Sequence, residues 1–400
     1  MKEYNFIFLR SAIEANKDIL DAQREEYLSK LARNNEIKVS KDAEPIFFIE
    51  SGGSEEVFKK IYKEYKEPYV LFATNANNSL PASLEIISFL DKHNLKNKLI
   101  HSTSENFVHT LEHIEIPIEK NFRKITNDVE VLKGKRAGVV GRPSNWLISS
   151  DVDYSKAKDK FGLELVDISF EEFKREIDKK ILPSWSDDFI KENQNDKINS
   201  KEIELALYIY SALKNLVIKH KLDAFTVRCF DLLGTVKSTS CLAFALLAKE
   251  GIVATCEGDI PALITMMIIK ARFGLDSFQA NPSYINIEKN EIILAHCTIP
   301  LSMVTSYKLD THFESKIGIG IKGELEAKEV TIFKVNSNLE KYLVLSAKIE
   351  KNLSKDNLCR TQILLKTAEN LSEILTSPNG NHLIIFYGDH KQELVNLLEK

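Results

Sequence analysis

Short apolar runs alternate with helically spaced stretches over the first two thirds of the chain, and after Gly274 they give way to closely spaced strands. Residues 6–9, 45–49 and 69–73 are apolar runs bounded by polar or small residues and have the length of buried strands. Residues 82–90 have helical spacing, and 98–100 form a further short strand. This alternation predicts a parallel sheet with helices on both faces. A charged connection at 130–135 leads into a second such unit, with strands at 136–141, 224–227 and 251–255 and helices at 203–220, 241–248 and 260–269. The strongly charged stretch 154–200 reads as surface helices and loops, with Trp185 the large anchor of its second half.

From Gly274 onward, strand-like segments at 278–280, 291–295, 318–322, 330–334, 342–347, 359–365 and 383–386 are separated by turn residues and few long helices. Successive strands of this kind predict an antiparallel, barrel-like domain closing over the second unit. The expected fold class is therefore α/β. It comprises two Rossmann-like parallel-sheet domains at 1–134 and 135–273, and a C-terminal β-rich domain at 274–400.

With 44% apolar and 28% charged residues, a chain of 400 can bury large cores in the ordinary globular way. Its 54 basic and 58 acidic residues are well mixed and leave a net charge of −4, so no electrostatic case exists for a nucleic-acid or anionic-membrane partner. No window has the ~20 apolar residues of a membrane span, and the N-terminal apolar run is too short for a signal peptide. The cysteines (Cys229, Cys241, Cys256, Cys297 and Cys359) form no CxxC pair and are odd in number, which favours a reducing cytoplasm over a disulfide framework.

Candidate chemistry concentrates at Cys256-Glu257-Gly258-Asp259. A strand precedes this turn and an apolar helix follows it, with Asp259 placed as N-cap and Pro261 in the first turn, where a missing N–H costs nothing. Ligands of open α/β sheets sit at the carboxyl ends of the strands, and Glu257 falls there, beside a helix N-terminus. Capping alone explains Asp259; it explains Glu257 less naturally, because Glu257 precedes the cap. Polar groups recur next to later strands as Asn281, His296 and His382. With Glu257 they form a carboxylate, amide and two-imidazole set, suited to Mn, Zn, Fe or Co rather than Ca. Taken singly, each histidine is more often a hydrogen-bonded structural residue. Cys256 and Cys297 flank the set and read as small buried side chains.

Several turns offer substrate contacts. The asparagine-rich turn at 75–78, beginning with Asn75, has amides suited to sugar hydroxyls, although Asn is also a good turn residue, and His101 ends the next strand. Arg142, Ser144 and Trp146 follow the glycine pair Gly138 and Gly141 in a small-ligand loop without a nucleotide signature, and Arg228 stands at the end of the 224–227 strand. Residues 311–315 alternate like a strand, which places His312 and Glu314 on one face. His390, behind Gly388 and Asp389, either orients His382 or belongs to a turn.

The turn Thr255-Cys256-Glu257-Gly258-Asp259, with the helix Ala262-Leu263-Ile264-Thr265-Met266-Met267 behind it, resembles a turn of the L-fucose isomerase and L-arabinose isomerase superfamily. The likeness is stronger to its short fucose-isomerase-like members. Asn381-His382, with Gly388 and His390 behind it, is similar to that family's late Asn-His motif. Order and spacing agree from about residue 224 to 392; before that, the resemblance is one of architecture and short turns. Asn281 stands where fucose isomerases place a second carboxylate, and His296 where arabinose isomerases have an additional metal-binding His.

The resemblance implies a metal-dependent aldose-ketose isomerase acting on a small sugar of fucose or arabinose type through a cis-enediol. It also implies a homotrimer or homohexamer, with the turns at 75–78 and 101–103 reaching a neighbour's pocket. A divalent metal, usually Mn²⁺, would be held by Glu257, Asn281, His296 and His382 and would stabilise the developing enediolate at O1 and O2, while Glu257 removes the C1 or C2 proton. Sugar contacts would come from Arg142, Ser144, Arg228, Asn75, His101, His312 and Glu314. An amide at 281 cannot trade protons, so Asp259, Glu314 or a water on the metal has to take the second acid-base role. The same departure admits an alternative: a sugar-binding or regulatory relative that kept the pocket and lost turnover.

Overall fold

The computed structural model describes residues 2–11, 17–34, 37–112, 120, 122–127 and 129–399. The first sheet is parallel throughout and contains β1 (Lys2–Leu9), β2 (Ile37–Val39), β3 (Pro45–Ile49), β4 (Tyr69–Ala73) and β5 (Asn97–His101), in the order β2-β1-β3-β4-β5. Successive side chains divide between two cores. Phe47, Ile49 and Leu71 pack on one face, and Ile46, Phe48 and Phe72 on the other. Because both faces are covered, β3 and β4 read as unbroken apolar runs. The edge strand β2 buries only Ile37 of its three residues and left no such signal.

β6 (Arg123–Lys124) precedes the second sheet, which is also parallel: β7 (Arg136–Val140), β8 (Glu164–Ile168), β9 (Ala224–Val227) and β10 (Val253–Thr255), in the order β10-β9-β7-β8. β8 corrects the expectation of helices and loops alone between 154 and 200. It is an edge strand that buries Leu165 and Ile168 and exposes Glu164 and Asp167, so its apolar content is too low to stand out.

The remaining strands are β11 (Phe278–Asn286), β12 (Glu291–His296), β13 (Val304–Thr311), β14 (Ile319–Leu325), β15 (Glu329–Val335), β16 (Lys341–Asn352), β17 (Thr361–Lys366) and β18 (Leu383–Tyr387). Six of them form an antiparallel barrel in the order β15-β18-β11-β12-β17-β16, closed by pairing of β15 with β16. β6 is appended to β16, and β13 with β14 makes a separate hairpin. β13 ends at Thr311. His312 then accepts a hydrogen bond from the Lys316 N–H in a turn, so His312 and Glu314 do not share a strand face as their alternation predicted.

The helix Ile260–Phe273 lies between the second sheet and the barrel, and all of residues 260–269 are buried. Leu263 and Ile264 share a core with Val139 of β7 and with Phe333, Ile384 and Phe386 of the barrel. Being covered on both sides explains why this helix is apolar all round. No helix among the described residues is long and apolar enough to cross a membrane.

Candidate active site

Between β10 and this helix, the chain turns through two left-handed residues, Glu257 at φ +65° and Gly258 at φ +75°. A side chain in that conformation costs about 1–2 kcal/mol, so the surroundings must hold Glu257 there. The Ser144 N–H donates to the Glu257 carbonyl at 2.9 Å. Gly258 packs so closely on the loop after β7 that a Cβ would lie 2.5 Å from the Arg142 carbonyl oxygen. Asp259 then caps the helix, accepting from the Ala262 N–H at 2.7 Å.

This turn aims the Glu257 carboxylate at two imidazoles. Its Oε2 accepts from Trp146 Nε1 at 2.7 Å, and its Oε1 lies 3.6 Å from His382 Nε2 and 3.9 Å from His296 Nε2. The other ring nitrogens are taken: His382 Nδ1 lies 2.8 Å from Asp259 Oδ2, and His296 Nδ1 lies 2.8 Å from Thr298 Oγ1. Gln279 braces the same corner, with its Nε2 3.1 Å from His382 Nδ1 and its Oε1 accepting from the Cys256 N–H at 2.8 Å. Two polar atoms here, His382 Nε2 and Asn281 Oδ1, are buried with no hydrogen-bond partner among the described residues.

Imidazoles held from behind, a carboxylate between them and an orphaned amide oxygen make a donor set that fits a divalent cation. Cys256 Sγ also lies within 4.8 Å of Glu257 and His296 ligand atoms. Its thiol contacts Cys229 Sγ at 2.9 Å, and that contact together with burial pushes it well above its ordinary value. That shift disfavours the thiolate, the form that binds a metal, and makes Cys256 a poorer donor than the imidazoles.

Charge organises the corner. Burial alone would raise the Glu257 carboxyl, but the positive charge of His382 and the nearby His296 imidazole outweigh it and hold it well below the usual carboxylate range. Burial opposes ionisation of Asp259 as well, yet Lys334, with His382 behind it, brings it down to about 2. Burial would lower His382; the Glu257 charge and the Asp259 contact push it up to about 9.

A cavity of about 280 Å³ opens onto Glu257 and Asn281. Its walls come from loops at the carboxyl ends of both parallel sheets: Gly52 and Gly53 beyond β3, Asn77 and Asn78 beyond β4, Trp146 beyond β7 and Phe230 beyond β9. Glu314, in the turn after β13, completes the wall and accepts from Asn78 Nδ2 at 2.5 Å. Glu55 is buried at the start of the helix Ser54–Ile61, with its Oε2 unpartnered among the described residues.

Among the residues singled out from sequence, the structure brings together Glu257, Asn281, His296 and His382, with Glu314 on the same cavity. Asp259, expected as a catalytic candidate, is sealed behind His382 and does not reach the cavity. Ser144 is buried beneath Glu257. Arg228 buttresses the loop after β7 through Asp231, the Pro143 carbonyl and Asn145. His312 packs edge-on against Phe230, and burial holds its imidazole down to about 4.

Arg142, Asn75 and His101 do not line the cavity. Arg142 is exposed and paired with Asp167; Asn75 accepts from Ser104; and His101 lies between the Ala73 carbonyl and the Ile285 N–H. In the turn at 75–78, Asn77 and Asn78 line this chain's own cavity. His390 pairs with Glu393 and stacks on Phe386, so the groups that orient His382 are Asp259 and Gln279.

Lys334, Gln279, Glu85 and Glu55 were missed. Lys334 projects from β15 onto Asp259. Glu85 accepts from the Ser149 and Asn381 N–H groups, tying the helix Ser79–Lys92 to the loop that carries His382. Both had a signal: a charge at a position where the pattern of the element requires a core residue.

No protein-family model matches the chain. It is similar to proteins named sulfoquinovose isomerase. Identity to that of Priestia megaterium is 23% over 368 residues, covering 86% of this chain and 80% of that protein. The corresponding protein of Alkalicoccus urumqiensis is 24% identical over 239 residues, 57% of this chain and 53% of its own length. That of a Clostridium species is 26% identical over 211 residues, 50% and 47% respectively.

Proposed function

We propose that this chain is an aldose-ketose sugar isomerase with Glu257 as the base that moves a proton between the two carbons. The carrying observation is the convergence of Glu257, His296 and His382 beside a cavity of about 280 Å³ whose lining mixes apolar and aromatic side chains with hydroxyls and amides. Similarity over 86% of the chain to proteins named as isomerases supports the same chemistry.

Glu257 is held in the ionised, proton-accepting form by its imidazole neighbours. Trp146 donates to its Oε2, while Oε1 faces the two imidazoles. Asp259 and Thr298 fix the imidazole orientations from behind. Glu257, Asn281, His296 and His382 are the residues that would hold a divalent cation, Mn²⁺ by the family resemblance. When bound, such an ion supplies Lewis-acid stabilisation of the charge that develops on the sugar oxygens. Asn77, Asn78, Ser11 and Ser51 bring amide and hydroxyl groups to the cavity lining, suited to sugar hydroxyls.

The substrate class in this reading is a neutral small aldose of fucose or arabinose type. The described cavity wall contains Glu55 and Glu314 and no Lys or Arg, whereas an anionic substituent calls for a basic partner. Sulfoquinovose is the second reading, favoured by the names of the similar proteins. A panel of neutral aldoses and sulfoquinovose, with Mn²⁺ and then with chelator, followed by NMR for ketose, tests both. Conversion of neutral aldoses that chelation abolishes is expected. Binding without conversion of any sugar would favour the relative that lost turnover. The homotrimer or homohexamer that the family resemblance implies belongs to the same proposal, and light scattering reads it directly.

A further inference from the structure

We propose that Glu314 is the second proton-transfer residue of the isomerisation, moving a proton between the two sugar oxygens while Glu257 moves one between the two carbons. This rests on the isomerase reading above and deepens it. An aldose and its ketose differ by one proton shifted from C2 to C1 and one shifted from O2 to O1. A single carboxylate serves the first shift, and the amide of Asn281 cannot serve the second.

Three further carboxyls lie near enough to be considered, and the structure separates them. Asp259 is sealed, with both oxygens engaged by Lys334, His382 and the Ala262 N–H. Glu55 also lines the cavity, but burial pushes its carboxyl well above its ordinary value, which disfavours the carboxylate form that has to accept the O2 proton. Glu314 stands on the wall of the cavity that Glu257 opens onto, carried by a turn and held through one oxygen by Asn78. Burial and the Glu257 charge push Glu314 up to about 7, so both its protonated and ionised forms are accessible near neutrality. A cavity of about 280 Å³ leaves little room for a sugar to touch one carboxyl and avoid the other.

In the aldose-to-ketose direction, the C2–H bond breaks and its proton passes to Glu257. The electron pair left behind forms the C1=C2 bond, the carbonyl pair moves onto O1, and O1 takes the proton of the Glu314 carboxylic acid. The Glu314 carboxylate then accepts the O2 proton as the C2 carbonyl forms, while Glu257 returns its proton to C1. Both carboxyls finish as they began.

The test is Glu314→Gln beside Glu314→Asp, assayed on whichever aldose the parent converts, with Mn²⁺ affinity and thermal unfolding measured on each. E314Q is expected to lower kcat about 10²-fold with little change in KM. The parent's kcat is expected to fall as rising pH deprotonates the acid; E314Q should remove that fall and leave Mn²⁺ affinity unchanged. E314D keeps an acid and should retain that alkaline limb with part of the activity. A kcat within about twofold of the parent, or a change in KM alone, would overturn the assignment while leaving the isomerase reading intact. If E314Q fails to fold, E314D decides: reduced kcat with the limb retained supports the role, and unchanged kcat overturns it. A parent that converts no aldose overturns the isomerase reading, and this one with it.

Discussion

Lys334 and Asp259 form an ion pair at 2.9 Å with side chains only 1% and 0% exposed. Lys334 comes from barrel strand β15 and Asp259 from the cap of the helix behind Glu257, so the pair joins the barrel to the turn that carries the candidate base. Two charges withdrawn from water are tolerated only with each other and with further hydrogen bonds, which Asp259 receives from the Ala262 N–H and His382. Lys334→Met strands a buried carboxylate and is expected to lose about 3–5 kcal/mol of stability in denaturant titration. A loss under about 1 kcal/mol would show that the pair contributes little.

The same carboxyl makes stability depend on acid. Asp259 titrates at about 2 in the fold against an ordinary 3.8, so folding favours its ionised form. Its contribution, roughly 2 kcal/mol, is complete above the unfolded value and disappears as pH falls from about 4 to 2. The stability difference between the parent and Asp259→Asn, measured with chelator present, should narrow across that interval. A difference independent of pH would refute it.

Glu257→Gln keeps the size and the contact with Trp146 but removes basicity. Turnover is expected to fall by about 10² to 10⁴-fold with thermal stability close to that of the parent. If Glu257 only supports the start of the helix, the change would cost about 1 kcal/mol or less and leave activity intact.

Asn281→Asp puts a carboxylate beside an imidazole pair where an unpartnered amide oxygen now lies. Divalent-cation binding, followed by calorimetry, is expected to tighten by roughly tenfold, the scale of replacing a neutral contact with a charged one. Activity appearing from a silent parent would favour a relative that lost turnover; slowing of an active parent would show that the amide belongs to a working mechanism.

Gly258→Ala tests the turn itself. The added Cβ would meet the Arg142 carbonyl oxygen at 2.5 Å at a φ of +75°, so the loop must shift. A loss of about 1–3 kcal/mol together with weakened cation binding is expected, because the shift carries Glu257 with it. Parent-like stability and binding would show that the loop yields freely.

What the sequence determined by itself was local. Runs covered on both faces, such as β3 and β4, declare themselves in a few residues, and so does a strand, a cap and an apolar helix in succession around Glu257. The barrel strands were legible for the same reason, while β2 and β8 were not, because edge strands bury too little to depart from their surroundings. The metal-type donors stood out as polar groups next to strands, and the family resemblance joined them into one set.

Tertiary structure decided which polar residues meet. His382 reaches Asp259 across 123 positions and Glu314 reaches Asn78 across 236. It took Asp259 out of the cavity, left Glu314 on its wall, and moved Arg142, Asn75 and His101 into other contacts. The physical reason is that a buried charge is stable only beside its partner, and the partner is chosen by how sheets, helix and barrel pack, which no local spacing encodes.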